Sequence, residues 1–483
     1  MNRELKRISL VVGVMFLSLF VASTNLQVLS ADSLAADPRN VRAIYDGYQT
    51  KRGAILVDGQ PIVDSTPASD AFFFNRKYSS DIYSSVTGFY SYFQGATGLE
   101  SSANDYLSGK NSAQFFERLN SLFSGNPLSG ASIELTLDPA VQQVAYDALG
   151  NKTGAVVAIE PSTGNILAMV STPGFNANKL SVHSGTKAQN NYSQLLAAEG
   201  DPLINKAIGG SLYTPGSVFK IVVAAAALES GEYTVDTELP NPRSYTLPGT
   251  STKIYNAGNS DCGGTKTVTL LNAMRLSCNI PFAQLGVALG QEKIRNMSKA
   301  FGFGQSMRIP TVATASTYPE NMDDAQTALS SFGQFDVRVT PLQMAMITAA
   351  IANGGRQMNP NLIENVQSSN LALLNQTSPS QFGNPISKAT ADGLKKMMIA
   401  AVATGVSGNG AVSGTVVAGK TGTAQNGTKA PYTLWFAGFA PADNPQVAVV
   451  VMVADGGGLG QNGSGNILAA PIARKVIKAV LSR

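Results

Sequence analysis

Three short patterns in this chain set a hydroxyl or an amide near a lysine, and together they could carry acyl transfer through a serine. A serine followed three residues later by a lysine occurs twice, at Ser184/Lys187 and Ser217/Lys220. Lys-Thr-Gly also occurs twice, beginning at Lys152 and at Lys420. Ser-x-Asn occurs seven times, among them Ser102/Asn104, Ser277/Asn279 and Ser407/Asn409. A serine hydroxyl is inert at neutral pH until a base removes its proton, and a lysine is such a base only where burial lowers its pKa. With one histidine, His183, and two cysteines, Cys262 and Cys278, in 483 residues, the ligand sets of ordinary zinc or iron–sulfur sites are out of reach. The expected chemistry uses no metal, no cofactor and no histidine base.

Context separates the copies. Ser184 sits in VHSGTKAQNN, a polar stretch that reads as an ordinary loop. Ser217 sits in TPGSVFKIVVAAAALE, where Thr-Pro-Gly turns the chain and strong helix formers follow. At the first turn of a helix the i to i+3 spacing puts Lys220 beside Ser217, and the helix N-terminus favours developing negative charge. An N-cap serine with a surface lysine is the bland reading of the same pair.

Lys152 precedes both serines and ends a helix, whereas Lys420 follows TVVAG on an apolar strand and extends to Lys-Thr-Gly-Thr. Such a strand can offer a backbone N–H to an oxyanion. Lys420, Thr421 and Thr423 are expected to hold a carboxylate, and Gly422 to leave space for an acyl chain. Ser277-Cys-Asn279 falls in a connector between TVTLLNAMRL and IPFAQLG, both helical. There Ser277 can pass protons between Lys220 and a leaving amine, and Asn279 can bind a substrate amide.

The elements that must position these groups are legible around them. SIELTL from Ser132 alternates as a strand, and Asp138-Pro139 reads as cap and first residue of the helix VQQVAYDAL. Gly154 to Glu160 and Asn165 to Val170 read as a hairpin about Pro-Ser-Thr-Gly. TPLQMAMITAAIANGG is helical and closed by Gly354-Gly355. TVVAGKTGTA, LWFAGFA and QVAVVVMVA are β-rich, and a terminal helix begins near Ala469. Strands at both ends with helices between predict an α+β domain over residues 131–483, its sheet assembled from the two termini. Residues 32–130, rich in Ser, Asn, Gly and aromatics, read as a small mixed non-catalytic module.

Only 14% of residues are charged and 44% are hydrophobic, which excludes disorder from charge excess. Lysine and arginine number 35 against 31 acidic residues, with no dense basic run, so nucleic acid is not an expected partner. Ile8 to Ala31 carries no charge and is long enough to span a membrane. Arg3, Lys6 and Arg7 precede it while Asp32 and Asp37 follow, which leaves residues 1–7 in the cytoplasm and the rest outside. A cleaved signal peptide, with small residues such as Ser33 and Ala35 near the cut, is the competing reading. An oxidising compartment admits a Cys262–Cys278 disulfide, and two unpaired thiols remain the alternative.

With these residues in place, the chain resembles the class B, monofunctional, membrane-anchored penicillin-binding proteins. LDPAVQQVAYDAL, GAVVAIEPSTGNILAMVSTPGFN, YTPGSVFK, TPLQMAMITAAIANGG, AGKTGTAQ and WFAGFAP look like segments of that family in its order, and Arg52-Gly-Ala-Ile55 looks like its membrane-proximal Arg-Gly-x-Ile element. The resemblance implies a β-lactamase-like transpeptidase fold with an antiparallel sheet and a helical lobe. It implies a D,D-transpeptidase in which Ser217 attacks the penultimate D-Ala carbonyl of a peptidoglycan stem peptide, D-Ala leaves, and a neighbouring stem amine accepts the acyl group. It further implies β-lactams as covalent inhibitors, the membrane as a partner, and a membrane-embedded peptidoglycan glycosyltransferase as a second one. Hydrolysis by the same serine, as a D,D-carboxypeptidase or a β-lactam-hydrolysing enzyme, and a non-enzymatic β-lactam sensor are the alternatives. No Glu-x-x-Leu-Asn element of a deacylating enzyme is found. Cys278 inside Ser-x-Asn and an N-terminal module of only about 100 residues depart from many relatives.

Overall fold

The computed structural model describes residues 2–30, 34, 50–124, 129–259 and 261–483. Ala31, Asp32, Asp37 and the cleavage candidates Ser33 and Ala35 lie outside the described residues.

Five antiparallel strands form the central sheet, in the order Ala418–Ala424, Thr433–Ala440, Val447–Val453, Gly154–Ile159, Ile166–Thr172. The chain's middle and its end therefore meet in one sheet, and the Lys420 strand is an edge. Alternate side chains go to opposite faces. Val449, Val451, Val156 and Phe436 pack with Pro139–Leu149 and the C-terminal helix Ala469–Leu481. Val450, Met452, Val157 and Trp435 face the helix Pro341–Ala352 and the rest of the core. Both faces are covered, so the strands read as unbroken apolar runs, and burying each large side chain contributes roughly 1.5–3 kcal/mol.

The predicted helix starts are visible as caps. Asp138 accepts from Val141 N–H with Pro139 behind it, and Thr340 accepts from Gln343 N–H ahead of Pro341–Ala352. A second lobe of helices, Lys220–Glu229, Leu270–Leu276, Asn279–Leu289, Gln291–Ala300 and Lys388–Ala403, packs beside the edge strand. The stretch around Ser184 departs from the loop reading. Ser184 caps the helix Gly185–Leu196, because a serine before Gly-Thr-Lys can satisfy the first-turn N–H groups.

The N-terminal module contributes strands Ile55–Val57, Gln60–Pro67 and Phe74–Tyr78 to a six-stranded sheet. Ser132–Leu135, Ile363–Gln367 and Leu373–Gln376 complete that sheet. The strand expected to open the catalytic domain thus runs parallel to Ile55–Val57, and a later excursion of the chain extends the sheet on that strand's far edge. At the module's centre Glu100, fully buried, accepts from Arg52 Nε at 2.5 Å and from Arg76 Nε at 2.6 Å. Asn2–Thr24, continued by the turn Asn25–Leu29, forms one long apolar helix with exposed side chains.

Candidate active site

Thr214-Pro215-Gly216 ends in a backbone conformation suited to glycine, with φ of 54° at Gly216. A Cβ there would stand 3.0 Å from the Thr423 carbonyl, so the turn presses against the edge strand. Gly216 N–H donates to Gly333 O at 2.9 Å, and Trp435 Nε1 donates to Thr214 O at 2.9 Å. Held this way, Ser217 opens a short 3-10 turn, Gly216–Phe219, which runs into the buried helix Lys220–Glu229. Among the described residues its hydroxyl has no hydrogen-bond partner, and it faces a cleft of about 610 Å³.

Lys220 lies beneath the serine and is fully buried. Its hydrogen bonds do not go to Ser217, as the i to i+3 spacing suggested. Lys220 Nζ donates to Ser277 O at 2.7 Å and Asn279 Oδ1 at 2.8 Å, and lies 3.5 Å from Ser277 Oγ. The helix tightens to 3-10 geometry at Ser217, and Lys220 extends across to the Ser277 connector.

That connector is tightly built. Ser277 ends Leu270–Leu276 in the left-handed region, φ 60°, and Cys278 N–H returns to Ala273 O at 2.9 Å. A disulfide joins Cys278 to Cys262, 16 positions earlier. Asn256 Oδ1 accepts from Asn279 N–H at 2.8 Å and Ile280 N–H at 3.0 Å, and so caps the helix Asn279–Leu289.

From the edge strand Lys420, also fully buried, donates from Nζ to Ser277 Oγ at 2.7 Å and to Thr421 O at 2.8 Å. Ser277 Oγ therefore lies between two lysines. Burial, and then the charge of Lys420, pushes Lys220 well below the ordinary lysine value, and burial lowers Lys420 to about 7. Among the described residues no carboxylate lies within ion-pair distance of either. At neutral pH the pair can hold one neutral amine and one ammonium, with a hydroxyl between them for proton transfer.

The remaining expected residues separate. Ser217, Asn279 and Thr423 line the cleft. Thr421 sits behind it: its N–H donates to Ser407 Oγ at 3.0 Å and its hydroxyl is 3.1 Å from the same oxygen. Gly422 faces the serine's turn. A Cβ there would stand 2.8 Å from Pro215 O and 3.2 Å from Val218, so the glycine lets the serine's turn approach the strand. Thr421 N–H points away from the neighbouring strand, and by the two-residue period Thr423 N–H does too, into the cleft beside Ser217.

Of the competing copies, Lys152 lies in a turn after Pro139–Leu149, and exposed Lys187 lies in the first turn of its helix. Ser407, set aside as one of seven Ser-x-Asn copies, proves to be the support of Thr421. Asn256 carried no sequence signal at all. Lys253–Tyr255, which lines the cleft, pairs with Ser244–Thr246; sequence reasoning missed this hairpin, and the signal that could have found it is Leu247-Pro-Gly-Thr between two short runs.

Comparison with known proteins follows the same divisions. A family model described as the penicillin binding protein transpeptidase domain matches residues 154–478, and one described as the penicillin binding protein A dimerisation domain matches residues 52–133. The chain is 39% identical to the peptidoglycan D,D-transpeptidase PbpA of Mycolicibacterium smegmatis, over 100% of this chain and 99% of that protein. It is 38% identical to PbpA of Mycobacterium tuberculosis with the same coverage. The ceftriaxone acyl-enzyme complex of M. tuberculosis penicillin-binding protein A superposes with a TM-score of 0.87 at 38% identity, covering 90% of this chain and 100% of that one. Pseudomonas aeruginosa PBP2 gives 0.74 at 29% identity, covering 89% and 95%.

Proposed function

The chain belongs to the class B penicillin-binding protein transpeptidase family, and we propose that Ser217 is the nucleophile with which this peptidoglycan D,D-transpeptidase cross-links stem peptides and is acylated by β-lactams. The reading rests on the convergence of Lys220, Ser277 and Lys420 on one hydroxyl beside the cleft that holds Ser217 and Thr423.

Ser217 Oγ attacks the penultimate D-Ala carbonyl carbon as its proton passes to neutral Lys220. The N–H groups of Ser217 and Thr423 stabilise the oxyanion. The proton moves from Lys220 through Ser277 Oγ to the departing amine, the amide C–N bond breaks, and D-Ala leaves an ester on Ser217. A stem amine then attacks the ester carbonyl, loses its proton along the reverse path, and restores the serine. Asn279 and Thr423 bind the donor peptide, and Gly422 keeps strand and nucleophile turn in contact. Lys420 supplies positive charge through Ser277, and Thr421 holds the strand's edge against Ser407.

The wider reading divides the chain into a cytoplasmic stub at 1–7, an anchor at 8–31, the module at 32–130 and the catalytic domain at 131–483. The apolar helix Arg3–Leu29, with basic residues at its start, supports a single-pass anchor with the catalytic domain outside. Alkaline carbonate should leave the full chain in the membrane fraction, and release would refute the anchor. Cross-linking consumes glycan strands that a polymerase must supply, so a membrane-embedded peptidoglycan glycosyltransferase is the partner proposed. Intact-mass and peptide mapping after incubation with a penicillin tests the assignment of the serine. One adduct on Ser217 is expected, and an adduct on Ser184, or none, would overturn it.

A further inference from the structure

A surface helix ordinarily shows its polar side to water. The helix Phe115–Ser124 does the reverse. Phe115, Phe116, Leu119 and Phe123, at i, i+1, i+4 and i+8, form one stripe, and they are 52%, 78%, 39% and 84% exposed. Three of its polar side chains turn inward, while Asn120 stays exposed. Glu117, Arg118 and Ser121 are half-buried, Arg118 Nη1 donates to Lys110 O at 2.5 Å, and Glu117 Oε2 is buried without a hydrogen bond.

Its place in the fold indicates what covers the stripe. Just before the helix, buried Gln114 bridges the Tyr106 carbonyl and the Ala131 N–H at 3.1 Å each. Next to Ala131, Gly130 N–H donates to Lys51 O at 2.8 Å, and Lys51 bridges Ser129. Lys51 is where the chain coming from the apolar helix Arg3–Leu29 enters the module, and 20 residues take it from Ser30 to Thr50. Fully extended, that length reaches at most about 70 Å, so the second helix is tethered within reach of whatever layer holds the first. Lys110, whose carbonyl accepts from Arg118 of the helix, is exposed, as are Lys51 and Asp105 on the neighbouring segments, so the surroundings carry two positive charges and one negative.

We propose that Phe115–Ser124 lies in the interfacial layer of the membrane as a second, reversible contact, with Phe116 and Phe123 inserted among the lipid headgroups. The inference rests on the reading of Arg3–Leu29 as a membrane anchor. Tethering makes even weak interfacial affinity sufficient. Four side chains of one short helix are, by contrast, much less than the roughly 800 Å² per partner of a stable protein interface. The contact would fix the module's height and tilt over the membrane, and with them the position of the cleft.

The test uses the full chain in vesicles of phosphatidylcholine and phosphatidylglycerol, with Phe123→Trp or Leu17→Trp and with lipids brominated on the acyl chains. Native Trp435 is fully buried and gives a constant background. Loss of most of the added emission from Phe123→Trp in brominated vesicles is expected. Quenching of Leu17→Trp alone would leave the anchor standing and overturn the interfacial helix. Quenching of neither would overturn the anchor reading and the proposal with it. Blue-shifted, unquenched emission from Phe123→Trp that is lost on diluting the protein in lipid would put a second copy on the stripe and overturn the proposal.

Discussion

Arg52, Arg76 and Glu100 in the N-terminal module and Lys220 and Lys420 in the catalytic cleft are all buried, yet only the first group is paired. Burial alone would raise Glu100, but the adjoining Arg76 and Arg52 guanidiniums outweigh it and hold the carboxyl below the ordinary glutamate value. Among the described residues the lysines have hydroxyl, amide and carbonyl oxygens for neighbours and no carboxylate, so burial takes them down instead. Pairing freezes charge into a fixed joint, whereas unpaired burial creates an amine that can accept a proton at neutral pH. The same cost of taking charge out of water is offset in one region and left standing in the other. Only the second region can do acid–base chemistry.

Both regions should gain stability as pH rises, but over different windows, because each folded-state pKa lies below its unfolded value. Glu100, held low, adds stability that is complete above the unfolded glutamate pKa and lost as pH falls through its lower native value. Lys420 gives up its proton near 7 when folded but near 10.5 when unfolded, so its burial costs stability at neutral pH and that cost fades as pH rises between those values.

Substitutions can break the contrast from either side. Lys220→Arg places a permanently protonated group where a neutral amine is required, and stopped-flow acylation by a penicillin should slow by roughly 10³-fold or more with the fold intact. A near wild-type rate would remove Lys220 from the mechanism. Glu100→Gln strands two buried guanidiniums, and denaturant unfolding should report a loss of about 3–5 kcal/mol; a change under about 1 kcal/mol would mean the triad is not desolvated as described. Cys262→Ser opens a loop of 15 residues between the cysteines, worth about 3 kcal/mol by loop-closure entropy. Thermal unfolding should fall and acylation slow, because Ser277 and Asn279 flank Cys278. Two alkylatable thiols in the unreduced wild type would show that no bridge forms. Lys420→Met removes an unpaired buried ammonium and should gain about 1–2 kcal/mol of stability while acylation is lost. A destabilised variant would argue that Lys420 is paired after all.

Much of this was readable in the chain. The strands of the central sheet, the cap Asp138 and the helix after Thr340 follow from local pattern, because apolar period and turn chemistry are local properties. What was not readable depends on contacts between distant segments. Ser132–Leu135 looks like the first strand of a domain, but its partner Ile55–Val57 lies across the module. That Gly422 lies against Pro215 is visible only once the two segments are brought together. Lys220 points to Ser277 and Asn279, 57 and 59 residues on, and Ser407 is distinguished from its six look-alikes only by lying along the strand that carries Thr421.

The central claim is that the cleft works because one buried lysine is neutral while its neighbour is protonated. It is tested most directly by the second-order rate constant for acylation by a penicillin across pH, which reports the free enzyme. The account predicts a bell-shaped profile. Its acid limb marks protonation of Lys220, and its alkaline limb begins near the value of about 7 for Lys420, as loss of the ammonium removes the charge that draws in the carboxylate and keeps Lys220 neutral. A rate that stays level until an alkaline limb at the ordinary lysine value near 10.5 would contradict it.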